Sequence, residues 1–238
     1  MEQIVQDKIW DYYQNEKKES FANAKSRLLY LAKLAKKSCS SSEEKLVLNI
    51  GVGDGLFEVL AFRLGLQIFS LDPNSKTIEN IKNKLSFIKN YNIRAKVGYI
   101  ESVPFSKNFF DVVVVSELLE HLSNDSLSLA ILEIKRILKP GGILIGSVPA
   151  RETLDNLNVF CPNCGSHFHV WGHQQSFDIS RMKAVLKDIF DVKEIFEKYF
   201  ISGGLNWKGK IVSGLKLVLN FFKIKGSGEN IIFIVKKK

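Results

Sequence analysis

LVLNIGVGDG, residues 46–55, is an apolar run that breaks into alternating glycines. Leu46–Ile50 has the length and composition of a buried strand. Gly51, Gly53 and Gly55 follow at once, where only a residue without a Cβ lets the backbone turn sharply and come close to a ligand. Leu56–Leu64 then reads as a helix. A second strand, Gln67–Leu71, ends at Asp72-Pro73-Asn74, so that Asp72 follows Gly51 by 21 residues. Downstream, the spacing predicts a helix over Ser75–Asn90, a strand over Arg94–Gly98 and another over Asp111–Val115. The last of these, DVVVV, carries no charge after its first residue, as a central parallel strand covered on both faces requires. LSLAILEIKRIL (127–138) is an amphipathic helix, stopped by Lys139-Pro140-Gly141-Gly142. Ile143–Val148 is a fifth strand. Strands alternating with helices imply an open parallel sheet with helices on both faces. In such a sheet ligands bind beyond the carboxyl ends of the strands, where the strand order reverses.

The glycine turn is G-x-G-x-G, whereas a dinucleotide fingerprint needs G-x-G-x-x-G; here Leu56 stands where the third glycine would be. A nucleoside cofactor with a short tail suits this spacing better, with Asp72 accepting both hydroxyls of a ribose. A glycine-rich turn without a ligand is the alternative. Four segments then agree, in order, with one family: LVLNIGVGDG (46–55), LDPN (71–74), ESVPFSKNFFDVVVVSELLEHL (101–122) and IKRILKPGGILIGSVP (134–149). The chain resembles a class I S-adenosylmethionine-dependent methyltransferase of the type 11/23 kind. The resemblance implies an α/β, Rossmann-like, seven-stranded and mostly parallel sheet with an antiparallel last strand. Phe190–Phe200 and Ile231–Val235 fit the last two strands. It also implies S-adenosylmethionine as cofactor. Gly51, Gly53 and Gly55 would line its methionine part, Asp72 with Pro73 its ribose, and Ile100 and Glu101 its adenine. Ser116 and Glu117 would lie beside the sulfonium and the acceptor. Two positions depart from the family: Asn49 and Tyr99 stand where it often has acids.

Methyl transfer to a hydroxyl or amine also needs a proton acceptor. His121 and Glu117 are the catalytic candidates; a packed histidine at a helix start and a structural hydrogen bond are the alternatives. The other three histidines share one segment with two cysteines, CPNCGSHFHVWGH (161–173). CxxC followed by H-x3-H has structural zinc spacing. Cys161, Cys164, His169 and His173 are the expected ligands, with His167 in reserve. Packed thiols, or histidines touching the acceptor, are the alternatives. A comparable CPxCG…H…WGH stretch occurs in similar methyltransferases of surface-polysaccharide gene clusters. Phe177–Ile189 is expected to be helical, capped by Asp178 or Ser180.

The 238 residues carry 34 basic and 25 acidic groups, for a net charge of +9. Residues 201–238 hold eight lysines and one acid, Glu229, so +7 lies there and 26 basic against 24 acidic groups leave +2 for the rest. A nearly neutral body offers no basic groove to nucleic acid. LNWKGKIVSGLKLVLNFFKIK (205–225) places Trp207, Ile211, Leu215, Val218 and Phe222 on one helical stripe, with Lys216 and Lys223 opposite. This suits a helix lying on a membrane surface; packing on the sheet or a homodimer contact is the other reading. The opening residues lack a secretory apolar core, no run reaches the length of a membrane span, and three cysteines make no disulfide scaffold. A cytoplasmic protein, possible at the inner face of a membrane, is expected. The expected organisation is an N-terminal helical cap over 1–42, with Trp10, Tyr12 and Tyr13 closing on the cofactor. A methyltransferase core spans 43–200, with a Cys/His lid at 150–177, and a basic insertion with the final strand spans 201–238. The expected activity is methylation of a small-molecule, sugar or lipid-linked saccharide acceptor. A zinc-containing RNA methyltransferase and a non-catalytic cofactor-binding protein are the alternatives.

Overall fold

The computed structural model describes residues 8–9, 12, 24–38, 45–201, 207–222, 224 and 226–238. Most of the predicted N-terminal cap, including Trp10 and Tyr13, lies outside the described residues. The longest described part of it is α1 (Lys25–Ser38), which buries Leu31, Ala32 and Ala35. Then come β1 (Leu46–Ile50), α2 (Leu56–Arg63), β2 (Gln67–Asp72), α3 (Ser75–Lys84), α4 (Tyr91–Arg94), β3 (Ala95–Val97), β4 (Phe110–Ser116), α5 (Asn124–Ile137) and β5 (Leu138–Pro149). Beyond the sheet's midpoint lie β6 (Asn158–Phe160), β7 (His167–His169), α6 (Ile179–Lys187), β8 (Phe190–Lys198), α7 (Trp207–Phe221) and β9 (Asn230–Lys237).

Seven strands form one sheet in the order β3-β2-β1-β4-β5-β9-β8, and β6 pairs with β7 as a separate hairpin. β1 to β5 pair in parallel, while β9 runs antiparallel between β5 and β8. This is the expected Rossmann-like sheet. The predicted helix over Ser75–Asn90 is shorter: it stops at Lys84, and Asn90 takes a left-handed turn (φ 62°) that starts the one-turn helix Tyr91–Arg94.

The strands are apolar without alternation because both faces are covered. On one face Leu48, Val113, Val115 and Leu144 meet Ile131 and Ile134 of α5 and Met182 and Leu186 of α6. On the other, Val47, Val112, Val114 and Ile145 meet Leu31 and Ala35 of α1, Phe57 and Ala61 of α2, and Ile78 and Ile81 of α3. Each buried aliphatic side chain contributes about 1.5–3 kcal/mol. Strand order reverses between β1 and β4, so the loops after these two strands diverge and open a crevice at their carboxyl ends. Among the described residues, no helix is long and apolar enough to cross a membrane.

Candidate functional site

The crevice is built first by the turn after β1. Gly51, Gly53 and Gly55 all adopt positive φ (86°, 57° and 75°). A Cβ on Gly55 would stand 2.3 Å from Ile81 Cδ1, so the turn admits no side chain there. Asp72, at the end of β2, is 1% exposed and pins the turn from below. Its Oδ2 accepts from the Val52 N–H at 2.9 Å and its Oδ1 from the Asn74 N–H at 2.9 Å. An ionised carboxylate offers about four acceptor sites, so accepting from two backbone N–H groups is compatible with holding a ribose hydroxyl as well. Pro73 continues from Asp72, and the Gly98 N–H donates to the Asp72 carbonyl at 3.1 Å. Ile100 is buried and Glu101 half-buried in the following turn; Tyr99 is exposed.

Beneath the turn lies a polar chain that sequence reasoning missed. The Asn49 amide donates to Glu58 Oε1 at 2.7 Å, and the Ser70 hydroxyl donates to the same oxygen at 3.0 Å. Ser70 also shares a hydrogen bond of 2.7 Å with the Tyr91 hydroxyl. The carboxyl absent from position 49 thus arrives from α2. Full burial pushes the Glu58 carboxyl up to about 7, although the Asn49 and Ser70 hydrogen bonds oppose this. The signal in the sequence was an acid inside the apolar run LFEVLA (56–61).

The turn after β4 forms the opposite wall. Glu117 is held at a left-handed φ of 51°, which a residue with a Cβ adopts at a cost of about 1–3 kcal/mol. Its carboxylate accepts from the Ser147 hydroxyl at 2.9 Å and from the Asn230 amide at 3.3 Å. Arg27 of α1 stands 3.6 Å away and also donates to the Ser116 hydroxyl at 3.3 Å. Arg27 and Asn230 lie far from Glu117 in sequence, which is why neither was expected in the site.

Four residues on, the wall becomes a cluster of acids and imidazoles. Glu120 and His121 belong to the single-turn 3-10 helix Leu119–His121 and are both buried. The Gln174 and Gln175 N–H groups donate to the Glu120 carbonyl at 2.7 and 2.9 Å, and the Gln174 amide donates to the His121 carbonyl at 2.7 Å. These bonds fasten the 150–177 segment onto the turn. The His121 and His173 rings meet edge to face at 4.6 Å, and the His169 and His173 rings stack at 4.6 Å. Burial pushes the Glu120 carboxyl well up, and the nearby Glu117 carboxylate adds to this. Burial, with His173 alongside, holds His121 well below its ordinary range, so its imidazole is neutral near pH 7.

The structure therefore brings His169 and His173 together, but with Glu152, Glu120 and His121 rather than with cysteines. Among the described residues, two sets place their donor atoms within 4.8 Å of one another: Glu120 with His121 and His173, and Glu152 with His169 and His173. Neither set includes Cys161, Cys164 or His167. The cysteines occupy a separate turn in which Cys164 is exposed and its thiol donates to Ser166 at 3.2 Å. The expected four-ligand set Cys161, Cys164, His169 and His173 does not assemble here. His169 ends β7 and is buried, whereas the cysteines lie in the turn before that strand, Cys161 half-buried and Cys164 exposed.

A family model described as a methyltransferase domain matches residues 48–146, which hold the glycine turn, Asp72 and the turn after β4. Over 101 residues the chain is 36% identical to the mitochondrial ubiquinone biosynthesis O-methyltransferase of Mus musculus, covering 41% of this chain and 27% of that protein. The chain spans less than a third of the length of the curated relatives that head the comparison. An uncharacterized protein of Methanocaldococcus jannaschii is 26% identical over 200 residues, covering 79% of this chain and 81% of that one. Solved structures share the whole fold. A Burkholderia thailandensis 1,6-didemethyltoxoflavin-N1-methyltransferase, with S-adenosylhomocysteine bound, has a TM-score of 0.69 at 12% identity and covers 99% of this chain and 88% of its own. A possible histamine N-methyltransferase of Thermotoga maritima has a TM-score of 0.62 at 20% identity, covering 97% and 99%. The Cys/His segment, α7 and β9 lie outside the methyltransferase-domain match.

Proposed function

We propose that this chain transfers the methyl group of S-adenosylmethionine to a small-molecule, sugar or lipid-linked saccharide acceptor, at a hydroxyl or amino group. The observation that carries the reading is the left-handed glycine turn pinned to buried Asp72 where the strand order reverses. The residues fit the cofactor: Gly51, Gly53 and Gly55 hold a left-handed turn that carries no side chains of its own, and Asp72 supplies a buried carboxylate at the end of the neighbouring strand. Ile100 and Glu101 frame the adenine end, and Ser116 the opposite end. When bound, the cofactor supplies an electrophilic methyl carbon.

The protein then contributes alignment, which for a well-oriented displacement is worth about 7–11 kcal/mol. Glu117 takes the acceptor's proton. Its strained backbone and its bracket of Ser147, Asn230 and Arg27 support that role, because they hold one carboxylate orientation against the crevice. The O-methyltransferase among the relatives supports oxygen as the acceptor atom. A lipid-linked acceptor is supported by α7, whose apolar stripe faces outward. Trp207 is 68% exposed, Ile211 63% and Leu215 60%, while the opposite side holds the protein through polar contacts.

The test is binding and turnover together. The wild-type protein is expected to bind S-adenosylhomocysteine and to transfer labelled methyl groups to a component of a cell extract. Asp72→Asn, with an unchanged circular dichroism spectrum, weakens that binding by about 10–100-fold, the loss of hydrogen bonds to a charged group. A wild-type chain that binds no S-adenosylhomocysteine overturns the proposal.

A further inference from the structure

Glu120 is completely buried, yet neither of its carboxylate oxygens has a hydrogen-bond partner. A buried carboxyl without a partner costs several kcal/mol, unless a cation or donor meets it. The donor atoms of His121 and His173 lie within 4.8 Å of it. We propose that Glu120, His121 and His173 form a binding site for a divalent transition-metal ion, with zinc the first choice, and that the CxxC pair takes no part in it.

The surroundings argue for ligands already oriented. His173 Nδ1 lies 2.5 Å from Glu152 Oε2. A carboxylate on one ring nitrogen fixes the tautomer and presents the other nitrogen to a metal. The Gly172 backbone also engages His121, whose Nε2 lies 3.9 Å from Glu120 Oε1. His169 plays a different part. Its Nδ1 accepts from the backbone N–H groups of Trp171 and His173 at 3.3 and 3.2 Å. The proton of a neutral ring therefore sits on Nε2, 3.3 Å from Glu152 Oε1. A protonated nitrogen cannot ligate, which leaves His169 out of the ligand set, its Nε2 making no hydrogen bond, while Glu152 steadies His173. The second set of donors is thus the support of the first rather than a second site.

Two imidazoles and one carboxylate suit zinc, or ferrous iron, with at least one coordination position left open. Harder cations such as magnesium prefer all-oxygen sets. The ligands come from the turn after β4, three residues past Glu117, and from the lid fastened to it. An ion here lies along the wall from which the acceptor is methylated, and a hydroxyl entering the open position would lose its proton more readily. That use of the ion rests on the methyltransferase reading; the binding itself does not.

The experiment separates the two. Chelator-treated full-length protein is titrated with cobalt(II) as a spectroscopic probe, and then with zinc as competitor. The expected result is one equivalent per chain, visible d–d bands without thiolate charge transfer, and displacement by zinc. Glu120→Gln and His173→Ala abolish the bands. Glu152→Gln weakens binding by about 10–100-fold, as loss of a supporting hydrogen bond does. The double substitution Cys161→Ser, Cys164→Ser leaves the spectrum unchanged. Circular dichroism establishes that each variant is folded, and Glu120→Gln, nearly isosteric, stands in if His173→Ala is not. No binding by the folded wild type, or a thiolate band lost with the cysteines, overturns the proposal. Neither outcome depends on methyl transfer, so failure of the metal site leaves the cofactor reading intact.

Discussion

Glu58 carries a prediction that belongs to a single side chain. Its folded-state value of about 7 exceeds the ordinary 4.5, so the folded protein holds the proton more tightly than the unfolded chain. Ionisation therefore costs stability: nothing is lost below 4.5, and the full cost is reached above about 7. That gap corresponds to about 3 kcal/mol. Glu58→Gln removes the ionisation, so urea unfolding should show its stability rising relative to wild type between those two pH values. A difference that stays constant across them counts against the account. At this scale the sequence was legible where chemistry demands a residue type at a fixed place. Gly51, Gly53, Gly55 and Asp72 could be named because a turn and a strand end dictate them. Glu58, Glu120 and Glu152 could not, because an acid in an apolar run reads the same whether it meets an amide, an imidazole or nothing.

Among the elements, α7 is the one whose orientation overturns the usual rule for a surface helix. Its polar side faces the protein. The Ser213 and Tyr199 hydroxyls hydrogen-bond at 2.9 Å, Asn220 accepts from the Tyr199 N–H at 3.1 Å and donates to the Glu197 carbonyl at 3.2 Å, and Lys216 pairs with Glu229. Trp207, Ile211, Leu215, Val218 and Phe222 all stand exposed on the far side. Lys216, opposite the stripe, is spent on Glu229, and Lys208 lies over the Trp207 ring. A contiguous apolar surface of this kind marks a membrane or a protein contact. Vesicle flotation is expected to show binding to anionic vesicles, with weaker binding to zwitterionic ones, since each lysine near the surface adds about 1 kcal/mol. Ile211→Asp with Leu215→Asp should weaken that binding at least tenfold, if roughly 1.4 kcal/mol or more of burial is lost. Unaltered flotation, or a dimer that these substitutions dissolve in a protein that never floats, would remove the membrane reading. The stripe was visible by helical spacing; which side meets the body was not, because that depends on Glu197 in β8 and on Tyr199 just after it.

At the scale of the whole molecule, the sheet was legible up to β5, since each strand there is a short apolar run bounded by a glycine, a proline or a polar cap. The hairpin of β6 and β7 escaped notice: Asn158–Phe160 and His167–His169 are too short for periodicity to register, and they exist because they pair with each other. The position of β9 follows from no local pattern either. It lies between β5 and β8, so β8 reaches the sheet only through a strand that comes later in the chain. Synthesis from the amino end presents β8 and the exposed stripe of α7 before their place in the sheet exists. During that interval β5 is a bare edge, and unpaired edges beside apolar helices are where chains associate wrongly. Removing residues 230–238 should make this interval permanent: aggregation on expression, and protease cleavage of the β8 region, are the expected readouts. A soluble, cofactor-binding product would speak against it. One antiparallel strand thus governs when the nascent chain is most exposed to its neighbours.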